Sequence, residues 1–560
     1  MVVLGGGVAG MSAAHELAER GFQVSVYELK SISGGKARSI GVPGSAQPGK
    51  KLLPGEHGFR FFPGFYKHVT DTMKRIPYKN NARGVFDNLV PTTRIEMARF
   101  DQKDIVMLSK FPTTREDLKV LVESLSGGNF GLTKEEIEFF AERMWSLLTS
   151  CKERRKHEYE KIGWWEFLEA DRFSVNYQKL LAEGLTRTLV AARAREANTK
   201  TGGDILLQLI FDMLKVGKTT DRVLNGPTNE VWIDPWLEHL KNMGVDYHMN
   251  ARVESINCDK EKVTSITINE NGNKIDVTGD HYLAALPVEV MAQLITPEML
   301  FIDPTIGRIK ILKDQVAWMN GMQFFLKQDV EIVNGHVIYL DSPWSLTSIS
   351  QKQFWKDVDL ATYGDGTVKG ILSVDISDWD TPGILYNKTA KECTKEEVKE
   401  EVWAQLKKSQ NHVGEEILRD DMIHSWFMDP DIIYPNPNES VNLEPLLINV
   451  ADSWHLRPDA YTRVPNLFLA SDYLQTNTDL ATMEGANEAA RRAVNCIISL
   501  SGVKAPFCKI WDLHEPGVFA IWRYADLRRY KKGLPWKSDV GWLIRILQRI
   551  RMWIFFKFGV

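Results

Sequence analysis

Apolar residues along this chain fall into short strand-length runs near its two ends and helical repeats between them. Val2–Leu4 is apolar, Gly5-x-Gly7-x-x-Gly10 follows, and a helix is predicted to about Arg20, with a second strand at Gln23–Tyr27. Trp232–Met243 has helical spacing. Strand patterns recur at Asp246–Ile256, Val263–Ile268, Asp280–Pro287 and Leu467–Ala470. Between these lie four further predicted helices, Thr113–Ser124, Thr133–Leu148, Tyr177–Ala194 and Gly203–Leu214. Two of them open on capping-box signals, Thr113-Thr-Arg-Glu116 and Thr133-Lys-Glu-Glu136. Residues 301–441 mix strand-like runs (Met322–Leu326, His336–Leu340, Gly370–Val374) with a charged helix, Thr394–Ser409.

The opening run has the parts of a dinucleotide site. Gly5 makes the tight turn, Gly7 lets the backbone approach a pyrophosphate, and Gly10 lets helix and strand pack closely. Val8, Ala9 and Gly10 present amides at the helix N-terminus to the anion. Glu28, at the end of the second strand, suits a ribose diol. A second glycine pair and two cations follow at Gly34-Gly35-Lys36-Ala37-Arg38. Far downstream, Leu467–Ala470 leads to Ser471-Asp472 and then to Met483-Glu484-Gly485-Ala486 opening a helix. Asp472 can bind ribityl or ribose hydroxyls, and that helix end is expected to point its amides at the same cofactor.

At 560 residues two or more lobes are expected. With 44% hydrophobic and 25% charged residues and a net charge of −4, composition gives no reason to expect nucleic acid. Five scattered cysteines without CxxC, and 12 histidines without ligand spacing, lead us to expect idle thiols and no metal. The glycine motif begins almost at the first residue, so no secretory leader is expected, although a few residues before the first strand are expected to be missing. Seventeen tryptophans suggest large apolar surfaces or an interface with lipid. The tail Val540–Val560 sets Leu543, Ile546, Leu547, Ile550, Trp553 and Ile554 on one helical face, interrupted by Arg545, Arg549, Arg551 and Lys557. That pattern suits a helix lying in a membrane interface, or one docked on its own protein or a second subunit.

The two glycine-rich segments together resemble the flavin amine oxidase and phytoene desaturase superfamily, in which a small residue and Asp precede MEGA; Ser471 replaces that family's usual Gly. The resemblance implies an α/β fold with a discontinuous Rossmann-type FAD-binding domain in three pieces, 1–105, 221–300 and 442–502. A helical insertion (106–220) and a mixed α+β insertion (301–441) would form the substrate lobe, and 503–560 a tail ending in an amphipathic helix. It implies non-covalent FAD, held by Gly5, Gly7, Val8, Ala9, Gly10, Glu28, Gly34, Gly35, Lys36, Arg38, Val253, Asp472, Met483, Glu484, Gly485 and Ala486.

Amine oxidases of the superfamily place a tyrosine just before MEG. Here Ala481-Thr482 stand there, which resembles the plant and cyanobacterial phytoene and zeta-carotene desaturases. The run Glu56-His57-Gly58-Phe59-Arg60-Phe61-Phe62-Pro63-Gly64-Phe65-Tyr66 is similar to their H-x-x-F-F-G-x-Y segment, with looser spacing. His57 is read as a base or as a histidine packing by the flavin. Phe61, Phe62 and Tyr66 are read as a substrate tunnel or an aromatic core, and Arg38 and Arg60 as contacts to the pyrophosphate or flavin or as surface ion pairs. The implied activity is desaturation, dehydrogenation or isomerisation of a long apolar isoprenoid or related lipid. A hydroxysqualene-dehydroxylase-like enzyme and an amine or amino-acid oxidase are the alternatives. The electron acceptor, quinone or oxygen, is left open, and the expected location is cytoplasmic and peripheral to a membrane.

Overall fold

Val2–Leu4, wholly buried, lies at the middle of a five-stranded parallel sheet. Tyr282–Ala284 and then Leu467–Leu469 lie on one side of it, Ser25–Tyr27 and then Asp246–His248 on the other. Burial on both faces explains why most of these strands read as continuous apolar runs rather than alternating ones. The computed structural model describes residues 1–108, 131–184, 194–213, 221–411 and 415–538. The opening helix Val8–Ala18 packs along the distal helix Met483–Ser501, and Asn487 Nδ2 donates to Ser12 Oγ at 2.7 Å between them.

The strand pattern expected over Asp246–Ile256 is two strands. Asn250 takes a left-handed conformation (φ 54°), so Asp246–His248 ends in the parallel sheet and Ala251–Cys258 starts an antiparallel one. The antiparallel sheet adds Val263–Glu270 and Asn273–Val277. The last strand is largely exposed and carries no alternation from which it could be read.

The inserted lobe centres on a seven-stranded sheet in the order Ile423–Met428, Asn320–Leu326, Gly370–Ile376, Thr347–Ser350, Gly335–Tyr339, Arg94–Arg99, Gln102–Leu108. Its last two strands, assigned to the first flavin piece up to residue 105, belong to this lobe. Arg94–Arg99 pairs in parallel with Gly335–Tyr339, a partner no local pattern announces. Helix Lys395–Gln410 covers the sheet and carries a capping box, Thr394 with Glu397; helix Lys134–Thr149 carries the expected one, Thr133 with Glu136. The helix expected from Gly203 runs Thr199–Met213, because Asn198 Oδ1 already accepts from the Thr201 amide at 2.7 Å. Val175–Tyr177 and the π-helical Gln178–Gly184 replace the first half of the helix expected over Tyr177–Ala194. Its continuation, the Thr113–Ser124 pattern and the tail Val540–Val560 lie outside the described residues. Trp164, Trp165 and Trp344 are core, and the indoles of Trp164 and Trp344 donate to the Ala182 and Thr381 carbonyls at 3.0 Å. Among the described residues no helix is long and apolar enough to cross a membrane.

Candidate functional site

A cavity of about 710 Å³ opens between the parallel sheet and the seven-stranded sheet, within the range of a cofactor or ligand site. One side is built by the opening motif. The backbone at Gly5 has φ 99°, and a Cβ there would lie 2.5 Å from the Ala285 carbonyl oxygen. A Cβ on Gly10 would lie 1.9 Å from the Gly5 carbonyl oxygen, so Gly10 serves the packing of helix on strand and does not line the cavity. Gly7 differs. It faces the cavity with an ordinary φ of −75°, and a Cβ would meet only the Gly35 backbone, Cα at 3.6 Å and N at 3.9 Å. The protein leaves room at Gly7 that its own packing does not need.

Gly7 is also the N-cap of the opening helix, which has no capping side chain and no acidic residue in its first turn. The helix-end amides of Val8 and Ala9, both lining the cavity, are therefore available to an anion. Glu28 accepts from the Gly6 amide at 2.6 Å and from the Lys30 amide at 2.8 Å. Burial pushes its carboxyl above the usual value, against those two hydrogen bonds. Val253, Gly34, Gly35 and Lys36 line the cavity near Gly7 and Glu28, and Asp472, Met483 and Ala486 line it from the distal segment. Pyrophosphate-sized room, an uncapped helix end and a carboxylate at the strand end fit a dinucleotide. Gly6 belongs to the motif too: a Cβ there would strike the Tyr247 hydroxyl at 2.1 Å, a constraint carried by a residue far away in sequence.

Several expected cofactor residues sit elsewhere. Arg38 does not line the cavity. Its buried guanidinium is held by Glu444 at 2.8 Å, by Asp431 and by the Gly35 carbonyl at 2.8 Å, because a buried cation needs carboxylate partners. Burial opposes the Glu444 charge, yet the Arg38 guanidinium and the Lys30 ammonium hold its carboxyl well below the usual range. Glu484 is turned away as well. Its carboxylate accepts from the amides of Lys67 (2.7 Å), His68 (2.8 Å) and Val69 (2.9 Å) and from His68 Nδ1 (2.7 Å), capping helix His68–Arg75. Gly485 is held by packing, since a Cβ would lie 2.5 Å from the Leu480 carbonyl oxygen. The distal helix is capped by Thr482 Oγ1, which accepts from the Gly485 amide at 3.2 Å, so its first turn is less open to a ligand than that of the opening helix.

His57 lines the cavity with Nδ1 against the Asp429 carboxylate; burial lowers its pKa well below the usual value and keeps the ring neutral. His57, Asp429 and Asp431 bring ligand atoms within 4.8 Å of one another, and Arg38 pairs with both carboxylates there. Phe61 and Tyr66 line the cavity, with Phe61 edge-on to His336 at 5.1 Å between ring centroids. Phe62 is fully buried against Trp232 instead. Arg60 also reaches the cavity and donates to the Lys36 carbonyl at 2.8 Å. From the seven-stranded sheet come His336, Thr347 and Asp375, none of which was legible in the sequence, since each sits in an ordinary strand pattern.

The site and fold define an FAD-dependent oxidoreductase. The chain belongs to the flavin containing amine oxidoreductase family, whose model matches residues 8–498. It is similar to the 15-cis-phytoene desaturase of Synechococcus elongatus, at 22% identity over 89% of this chain and 96% of that protein. It is likewise similar to the zeta-carotene desaturase of Synechocystis sp., at 21% identity over 89% and 97%. Against the chloroplastic/chromoplastic 15-cis-phytoene desaturase of an Oncidium hybrid cultivar, the match spans about half of that protein, 48%. Among solved structures, putrescine oxidase bound to putrescine has a TM-score of 0.59 at 12% identity, covering 89% of this chain and 98% of that one. Cyclohexylamine oxidase from Brevibacterium oxydans IH-35A has a TM-score of 0.57 at 12% identity, covering 89% and 99%. At such identities these two structures speak to the fold alone.

Proposed function

We propose that this enzyme is a desaturase, dehydrogenase or isomerase acting on the carbon skeleton of a long apolar isoprenoid or related lipid. The observation that carries this reading is the wall at the start of the distal helix. Ala481 and Thr482 line the cavity where the resemblance to amine oxidases would call for an aromatic ring. Phe59, Phe61, Tyr66 and Met319 supply much of the apolar surface around it. The names of the desaturases this chain resembles point the same way. FAD, when bound, supplies the hydride acceptor at N5. The chain's own residues bind its pyrophosphate and ribose, orient the substrate and keep water out. Dehydroxylation of a squalene-type alcohol uses the same apolar surfaces and is a close variant.

The test is anaerobic photometry of the holoenzyme. Phytoene or zeta-carotene in detergent is expected to bleach the flavin absorption, while putrescine and cyclohexylamine leave it unchanged and release no peroxide in air. Bleaching by the amines and not by the polyenes would sink the reading.

We further propose that residues 540–560 hold the enzyme on an anionic membrane surface, from which such a substrate would be drawn. The root of this segment is docked on the helical insertion: Arg154 donates to the Leu534 carbonyl at 2.8 Å and the Trp536 indole to Thr149 Oγ1 at 3.1 Å. A truncation must therefore fall after Ser538 to leave those contacts in place. It is expected to keep flavin content and to lose flotation with anionic liposomes, where each basic residue near the surface contributes about 1 kcal/mol. Equal flotation of full-length and truncated protein would place the segment on protein instead.

A further inference from the structure

Asp375 is the one carboxyl that the inserted lobe's sheet sends into the flavin cavity among the described residues. It sits in strand Gly370–Ile376, opposite Gly321 on one side and Thr347 on the other. Two glycines make its niche. A Cβ on Gly58, whose φ is 143°, would lie 2.6 Å from Asp375 Oδ1, and a Cβ on Gly321 would lie 2.4 Å from the Gly58 amide nitrogen. Side chains at either position would close the carboxyl off. The carboxyl is fully buried in protein. It receives a hydrogen bond from the Phe59 amide, while Oδ1 has no hydrogen-bond partner. A buried oxygen left unpaired beside a substrate cavity is costly unless it has a use.

The charged and titratable groups around it are few. Arg60 faces it from the loop that also carries Gly58; Glu56 and Glu444 are that cation's other carboxylate neighbours, and the Arg38 guanidinium acts on it as well. His336, on the strand past that of Thr347, shares the cavity; burial lowers it to about 4, so it is neutral. His57 is neutral for the same reason. Strand Asn320–Leu326, which flanks Asp375 on its other side, has no ionisable side chain.

We propose that Asp375 is the proton acceptor of the carbon–carbon dehydrogenation. The proposal rests on the functional reading above. One substrate C–H bond breaks with its electron pair going to the bound flavin as hydride, and the C–H bond on the adjacent carbon breaks with its proton going to the Asp375 carboxylate. The electron pair left behind forms the new C=C π bond. The substrate loses two hydrogens, the flavin is reduced by two electrons and Asp375 ends as the neutral acid. Arg60 is the positioning residue, and its charge limits how far burial raises the carboxyl. Burial pushes Asp375 up to about 7, against Arg60 and the Phe59 amide, which is where a base working near neutral pH is most effective.

The experiment compares wild-type, Asp375→Asn, Asp375→Glu and Asp375→Ser holoenzymes. Infrared difference spectra across pH 5–9 (roughly two pH units either side of that value) are expected to show a protonated-carboxyl band that titrates in the wild type and is missing from the Asn and Ser variants. Flavin content and polyene affinity are expected to stay at wild-type levels. Anaerobic bleaching by the polyene should slow about 10²-fold or more in Asn and Ser and lose its acid-side inflection, with partial recovery in Glu. Bleaching of the Asn or Ser variant at the wild-type rate and with the wild-type pH profile would overturn the proposal and leave the desaturase reading intact. So would a wild-type spectrum without the titrating band. A wild type bleached by amines and not by polyenes would remove both, and amine binding lost in Asp375→Asn would make this carboxyl an ammonium anchor instead.

Discussion

Gly7→Leu is expected to yield a folded, colourless protein. A leucine at Gly7 points into the cavity, where its Cβ meets only the Gly35 backbone, Cα at 3.6 Å and N at 3.9 Å, both ordinary contacts. Its φ of −75° suits any residue, so the fold has no objection to the change. The room the side chain takes is the room the pyrophosphate needs, close to the Val8 and Ala9 amides. FAD affinity should fall at least about 100-fold, the equivalent of ~2.7 kcal/mol, with circular dichroism and thermal midpoint near those of the wild-type apoprotein. Gly10→Leu is the contrasting control. Its Cβ would sit 1.9 Å from the Gly5 carbonyl oxygen, forcing helix from strand, and the protein should be recovered largely insoluble. The wild-type flavin should appear in the supernatant after acid precipitation, as expected of a non-covalent cofactor. Fluorescence titration of both apoproteins with FAD decides the matter; wild-type affinity in Gly7→Leu would mean that the pyrophosphate lies elsewhere.

The opening motif could be read from the chain because its parts are local. Strand, turn, helix and acid fall within Met1–Arg38, and the structure sets Gly7, the helix end and Glu28 around one cavity. Residues whose role depends on a distant partner could not be read in this way. Arg38 follows the second glycine pair as a phosphate-binding arginine would, yet Asp431 and Glu444, 393 and 406 residues further along the chain, claim its guanidinium. Arg94–Arg99 looks like the end of the first flavin piece until Gly335–Tyr339 is laid beside it. Asp375 lies in a strand whose neighbours are apolar or small, and only Gly58 and Gly321, brought there from two other segments, reveal that its oxygen has been given room. Periodicity reports which face of an element is buried. It does not report which remote backbone leaves space in front of one side chain.

Glu484 carries the second large effect, on stability rather than on the flavin. Its carboxylate accepts from three consecutive backbone amides, Lys67, His68 and Val69, and from the His68 ring. It thereby ties the distal helix to the N-terminus of helix His68–Arg75, whose N-cap Lys67 offers no side-chain cap. Glu484→Ala strands those amides in the interior, a loss of about 3–5 kcal/mol for one partner of a buried, charge-bearing array. Glu484→Gln keeps the shape and an acceptor oxygen but not the charge, and should recover part of it. Burial alone would raise the Glu484 carboxyl; the His68 ring and the backbone amides outweigh burial and hold it below the ordinary value. The sign of the pH dependence follows. With the folded-state value depressed, the charge contributes its full stabilisation above the unfolded value of about 4.3. That stabilisation is lost as the pH falls through the folded-state value. Urea midpoints of the apoprotein should therefore separate wild type from Glu484→Gln most widely near neutral pH and bring them together in acid. A constant gap at all pH values would assign the effect to side-chain packing and remove the charged cap from the account.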